Sequence, residues 1–202
     1  REILQEFPDI TGYVLLTEGF WYKAWGGGHG ASKEYIEDWA RNWTHAVGVV
    51  AEECHRVNPD IEILPWEYNI DFRPKNVDTK RYFIQQLPDD TIPMLTWENG
   101  KSFEIDGLQG TLRDYAINVV GPAEVTHAQI GEARKRGMKV YSNAQTFSCG
   151  AQLQTVPYQP FPQQWHARYQ ALEDYGIDGT LESWSSGYAP NFVTELRAWY
   201  CW

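Results

Sequence analysis

Positive charge is scarce in this chain of 202 residues: 17 Lys plus Arg stand against 27 Asp plus Glu, for a formal net charge of -10. That balance argues against a surface for nucleic acid or anionic lipid, since both require clustered cations. No apolar run approaches the roughly 18 residues that a membrane span needs. Cysteine is sparse too. Cys54, Cys149 and Cys201 are an odd, widely spaced set with no CxxC spacing for zinc, and one disulfide would form only on export. A secretory signal pattern is missing, and the chain begins at Arg1 without an initiator Met, so a fragment, a processed form or part of a larger protein is expected. Localisation stays open, with a secreted or periplasmic site favoured. Nor is there a GxSxG elbow, a P-loop Lys-Ser/Thr after Gly26-Gly27-Gly28, or a pair of His at metal-ligand spacing. Neither a metal nor a cofactor is expected.

What is present is a globular composition, 43% hydrophobic and 22% charged, with an aromatic share of 15% that includes 10 Trp. Indoles supply flat faces for packing, for sugar stacking or for partners. Strand-like and helix-like segments alternate along the chain. Gly12 to Thr17 reads as a strand, and Ser32 caps a helix running to about Val57, with Ile36, Trp39, Trp43, Val47, Val50 and Cys54 at three- and four-residue spacing. Asn58-Pro59-Asp60 stops that helix. Further strands are expected at Ile61–Trp66, Thr91–Trp97, Tyr115–Val120, Met138–Gln145 and Ile177–Leu181. Helices are expected at Val77–Leu87, from Pro122 to Arg136-Gly137, from Pro162 to Tyr175, and over Phe192–Trp202. His45 and His55 are expected on the solvent side of the long helix.

Alternating strands and helices imply βαβ units and a mostly parallel sheet. The spacing resembles the roughly 30-residue βα unit of a (β/α)8 TIM-type barrel, which takes about 250 residues and eight strands. Six such units are legible, so residues 1–202 are expected to form the C-terminal two-thirds of a (β/α)8 catalytic barrel, incomplete at its N-terminus. The missing N-terminal part of the same barrel would then be a partner. A doubly wound open sheet is the alternative, without the glycine fingerprint of a dinucleotide site.

In parallel barrels functional groups cluster where strands end. Here those ends read Thr17-Glu18-Gly19-Phe20-Trp21, Trp66-Glu67-Tyr68-Asn69, Trp97-Glu98-Asn99, Ser142-Asn143-Ala144-Gln145 and Glu182-Ser183-Trp184. The candidate catalytic residues are therefore Glu18, Glu67, Glu98 and Glu182. Trp21, His29, Trp66, Trp97, Asn143, Gln145 and Trp184 are candidates for substrate binding. Paired carboxylates, hydroxyl-binding amides and indoles are the inventory of a glycoside hydrolase acting on an oligo- or polysaccharide.

Three stretches, Gly12-Tyr13-Val14-Leu15-Leu16-Thr17-Glu18-Gly19, Val119-Val120-Gly121-Pro122 with Arg136-Gly137-Met138-Lys139-Val140-Tyr141, and Tyr175 to Trp184, resemble the catalytic barrel of bacterial glycoside hydrolases related to family 20 hexosaminidases. The resemblance implies a barrel and a sugar substrate. It extends less far to acetamido specificity, since Thr17 stands where that family carries Asp beside the acid, and Ser186 where its closing strand carries an acidic residue.

On this reading Glu18 is the first choice for general acid and Glu182, Glu98 or Glu67 its partner. If the sixth strand is counted as the eighth of a barrel, Glu67 takes the acid position instead. A non-catalytic carbohydrate-binding barrel, a metal-assisted hydrolase and a partner-binding half-barrel are the competing readings.

Overall fold

In the computed structural model the described residues are 1–17, 33–68, 77–112, 119–143, 161–181 and 192–200. They divide into two compact units: residues 1–95 with 128–140, and residues 96–127 with 141–202.

The first unit opens with a short helix, α1 (Glu2–Glu6), and strand β1 (Gly12–Leu16). A long helix, α2 (Lys33–His55), leads to β2 (Glu62–Trp66), α3 (Val77–Gln86) and β3 (Met94–Thr96), whose last residue falls in the second unit. β1 and β2 run parallel in the register Gly12 with Glu62 through Leu16 with Trp66, and β2 continues onto β3 at Trp66 with Met94. The near-continuous burial of β2 and β3 is what a parallel strand covered on both faces requires.

α2 buries Trp39, Ala40, Trp43, Thr44, Val47, Ala51 and Cys54, one stripe at helical spacing, and Trp39 stacks on both Trp43 and Phe83. Val50, expected on that stripe, is 37% exposed, and Ala51 takes the inward position. The burial that hides Cys54 also pushes its thiol pKa up. Beyond the helix, the Asn58 carbonyl oxygen of the side chain accepts from the Asp60 amide at 3.0 Å, the turn its sequence predicts. His55 does not face solvent as expected: its Nδ1 meets Asp90 at 2.9 Å and its Nε2 the Ile61 carbonyl at 3.0 Å.

Helix α4 (Glu124–Lys135) contributes residues from Ala128 onward to this unit. It ends as Arg136-Gly137 predicts. Gly137 adopts φ 70°, and the amides of Gly137 and Met138 return to the carbonyls of Arg134 and Ala133, both at 3.0 Å. Arg136 turns to the end of α3, donating to the Leu87 carbonyl at 2.6 Å and to the Ile84 carbonyl.

α3 and α4 also meet at Glu132, whose carboxylate accepts from Gln85 at 3.0 Å and from Lys135 at 3.4 Å. The Gln85 hydrogen bond, with Lys135 reinforcing it, holds this carboxyl below its ordinary value of 4.5. A lowered folded-state value stabilises the fold above the unfolded value, and that contribution is lost as pH falls through the lowered one. Gln85→Leu is therefore expected to cost a few tenths of a kcal/mol, at most about 1, at neutral pH, because Gln85 is exposed and solvent screens the contact. In urea titrations the gap from wild type should shrink below about pH 4; a gap of equal size at pH 7 and pH 3 would refute the assignment.

The second unit holds β4 (Ser102–Ile105) and β5 (Leu108–Thr111), an antiparallel hairpin closed by Asp106-Gly107, both with positive φ. It also holds β6 (Tyr141–Asn143) and β7 (Gly179–Leu181), paired in parallel from Tyr141 with Gly179 to Asn143 with Leu181. Gly179 lies under the Tyr141 ring, where an added Cβ would stand 2.6 Å from Cζ. Helices α5 (Pro162–Asp174) and α6 (Phe192–Trp199) complete the unit, with Arg197 of α6 donating to the Thr180 hydroxyl at 3.1 Å.

The expected (β/α)8 TIM-type barrel is overturned, although the class is α/β. Among the described residues the parallel strands are β1-β2-β3 and β6-β7, with a separate two-stranded antiparallel sheet, and no ring of eight strands closes. Strand spacing misled here because an open parallel sheet satisfies the same βα period as a closed one. The stretch after β3 also forms a hairpin and not a βα unit. Of the strand expected at Tyr115–Val120, residues 115–118 lie outside the described residues, and Val119 and Val120 are irregular.

Candidate functional site

The C-terminal ends of β2 and β3 each place a Trp-Glu pair where parallel α/β sheets present their loops. At the end of β2, Trp66 is fully buried and packs against Tyr68 with ring centroids 5.1 Å apart. Glu67 follows at 2% exposure, and its Oε1 accepts from the Lys80 ammonium at 3.0 Å and from the Gln129 amide. Lys80 is itself 4% exposed. It sits on the inward stripe of α3 with Phe83 and Ile84, three and four residues on, so a cation occupies a place where packing alone would favour an apolar side chain.

The second unit repeats the arrangement with different partners. Trp97 is fully buried, its Nε1 donating to the Val120 carbonyl at 2.8 Å and its ring meeting Tyr175 edge-on. Glu98, 1% exposed, receives Nη2 of Arg168 on both carboxylate oxygens at 3.2 Å, while Nη1 of the same arginine donates to the Val119 carbonyl at 3.4 Å. Arg168 lies on the buried stripe of α5 with Trp165, Tyr169 and Leu172. Asn143 ends β6 and is buried beside Ser142.

Each charged pair is dry. The desolvation penalty of such a pair is comparable to its attraction, and an apolar pair of the same shape is often as stable. What the ion pairs do add is direction: each fixes one carboxylate at the end of one strand.

Of the residues singled out by sequence, Glu67 and Trp66 lie together in the first unit, and Glu98, Trp97 and Asn143 lie in the second. Glu18, Trp21, His29, Gln145, Glu182 and Trp184 lie outside the described residues. The sequence reading missed Lys80, Gln129 and Arg168. A usable signal existed for Lys80 and Arg168, since each is a lone cation on the buried face of its helix, beside Phe83 and Ile84 or Trp165, Tyr169 and Leu172. Among the described residues, no group of three or more His, Cys, Asp and Glu could hold a metal ion, and no helix is long and apolar enough to cross a membrane.

No family model matches this chain, and no curated protein matches it. Among solved structures, a candidate alpha-L-fucosidase from Bacteroides thetaiotaomicron VPI-5482 is similar over 78% of this chain and 48% of its own, with 14% identity and a TM-score of 0.48. The chain thus spans about half the length of that protein. A likeness of this grade transfers no residue role, and the resemblance to family 20 hexosaminidases finds no support in these comparisons.

Proposed function

We propose that this chain is part of an enzyme that hydrolyses glycosidic bonds with carboxylates at the ends of its parallel strands. The observation that carries the reading is the repeated strand end: β2 and β3 both lead into Trp-Glu, and both carboxylates are held by a helix-borne cation, Lys80 or Arg168. A carboxylate fixed in a buried place supports this reading, because a glycosidase needs positioned carboxyl groups at the scissile bond. In this proposal Glu18 protonates the leaving-group oxygen, with Glu182, Glu98 or Glu67 as its partner. Trp21, His29, Asn143, Gln145 and Trp184 would contact the sugar.

A second reading, a non-catalytic carbohydrate-binding protein, is favoured by one specific observation. Trp66, Glu67, Trp97 and Glu98 expose 0 to 2% of their surface, which suits a packing and anchoring role.

The two readings separate on a panel of aryl α- and β-glycosides, including N-acetylhexosaminides and α-L-fucosides, assayed with the full chain. One sugar class should turn over, and Glu18→Gln should lower kcat/KM about a hundredfold or more, roughly 3 kcal/mol of barrier. If no glycoside is cleaved while polysaccharide binds equally to wild type and to the Glu18→Gln, Glu67→Gln, Glu98→Gln and Glu182→Gln variants, the binding reading replaces the catalytic one.

A further inference from the structure

We propose that the polar face of the β4–β5 hairpin binds a neutral sugar unit of an oligosaccharide, as a subsite separate from the strand-end carboxylates. The proposal rests on the carbohydrate reading above, in either its catalytic or its binding form. Paired residues of a hairpin share a face, and successive pairs alternate between the two faces. Ser102 with Thr111 and Glu104 with Gln109 therefore lie on one face, and Phe103 with Gly110 and Ile105 with Leu108 on the other. An open groove of about 600 Å3 is lined by Ser102, Phe103, Glu104, Gln109, Gly110 and Thr111. It takes in both polar pairs and stops short of the apolar pair at the turn. Its volume falls in the range of small-molecule sites.

The hairpin is stiffened from behind and fixed at its base. The Phe103 ring lies across Gly110, where an added Cβ would stand 2.4 Å from Cζ, so the ring bridges the two strands. At the base, the Gly100 amide donates to the Leu112 carbonyl at 2.9 Å and the Lys101 amide to the Glu98 carbonyl at 3.0 Å. The Lys101 ammonium donates to the carbonyls of Gly121 and Pro122 at 3.0 and 3.3 Å. The groove is thus an anchored extension of the β3 end, on the side where open parallel sheets take their ligands. Glu104 accepts from Gln109 at 3.0 Å, which sets carboxylate and amide side by side. With the hydroxyls of Ser102 and Thr111 these groups both donate and accept, as the hydroxyls of a sugar do. Among the described residues lining the groove there is one carboxylate and no cation, which disfavours phosphate, sulfate and uronate ligands.

NMR titration of the 15N-labelled full chain tests the site. The probes are four neutral hexasaccharides (cellohexaose, mannohexaose, xylohexaose and N-acetylchitohexaose), with hexagalacturonate as the anionic control. At least one neutral probe should shift the amides of Ser102, Glu104, Gln109 and Thr111, and hexagalacturonate should not. Gln109→Leu/Thr111→Val, which removes an amide and a hydroxyl from this face, should raise the Kd about tenfold. Thr111→Val alone, which keeps the side chain's shape, should move it in the same direction. Leu108→Ser, an exposed position on the opposite face, should leave it unchanged. Cross-strand contacts between Phe103 and Gly110 in the same spectra show that each variant keeps the hairpin.

Three results would overturn the proposal. If none of the four probes shifts the hairpin, the subsite falls, while turnover on the glycoside panel would leave the glycosidase reading standing. Equal shifts with hexagalacturonate refute the ligand class. An equal loss from Leu108→Ser moves binding to the apolar face. Hairpin shifts without turnover on the panel uphold the subsite and put the binding reading in place of the catalytic one.

Discussion

Arg168→Met is expected to destabilise the chain by about 3–5 kcal/mol, the usual cost of stripping one partner from a buried ion pair. For a chain of this size that is a fall in Tm on the order of 10 °C. Arg168 is fully buried, and its Nη2 reaches both oxygens of Glu98 at 3.2 Å. Without it, Glu98 keeps a buried carboxyl but loses this guanidinium, and the Val119 carbonyl loses a donor. The control is the double variant Arg168→Met/Glu98→Gln, which removes charge from both sides and should regain most of the lost stability. Thermal unfolding of the wild type, both single variants and the double variant gives the coupling directly. A single Arg168→Met variant within 1 kcal/mol of wild type would show that the pair does not hold α5 to the end of β3.

Trp97→Ala is expected to cost a similar amount, about 3–5 kcal/mol, through the cavity left by a fully buried indole. Trp97→Phe separates the two parts of the loss. It keeps an aromatic ring beside Tyr175 but removes the N–H that the Val120 carbonyl accepts at 2.8 Å. Leaving that carbonyl without its donor should cost about 1–3 kcal/mol. Urea midpoints with an unchanged m-value would report both steps as losses of stability. Sequence reading gave this tryptophan a sugar-stacking role. A Trp97→Phe variant with wild-type stability and weakened polysaccharide binding would support that role over the packing one.

Local pattern carried far into this fold. The stripe from Trp39 to Cys54 marked α2, Asn58-Pro59-Asp60 marked its end, and Arg136-Gly137 marked the close of α4. These signals survive because capping and amphipathic spacing are decided within a few residues. The β4–β5 hairpin is local in the same way. Asp106-Gly107 between Ser102-Phe103-Glu104-Ile105 and Leu108-Gln109-Gly110-Thr111 is the strongest short-range hairpin signal a sequence carries. Closure of the sheet was beyond local reading, because the βα period says how far apart strands lie in sequence and nothing about whether the last meets the first.

The candidate site divides along the same line. Trp66-Glu67 and Trp97-Glu98 could be placed at strand ends because strand termini are local features. Their partners could not. Glu67 and Lys80 are 13 residues apart, Glu67 and Gln129 are 62, and Glu98 and Arg168 are 70. Such pairings exist only once tertiary packing has chosen which helix faces which strand.

The register of β1 on β2 has a kinetic side. Gly12 meets Glu62 across some 50 residues of chain, whereas Ile105 meets Leu108 across a two-residue turn. Loop-closure entropy grows by about 0.6 kcal/mol for each doubling of length, so the parallel pairing starts at a deficit of several such steps. The hairpin can form on the microsecond scale from its own residues, but the β1–β2 ladder must wait for long-range closure. Until it does, the side chains of β2 that become core, Ile63, Leu64 and Trp66, lack β1 beside them. The strand that leads into Glu67 thus gains its β1 partner only after the hairpin has formed.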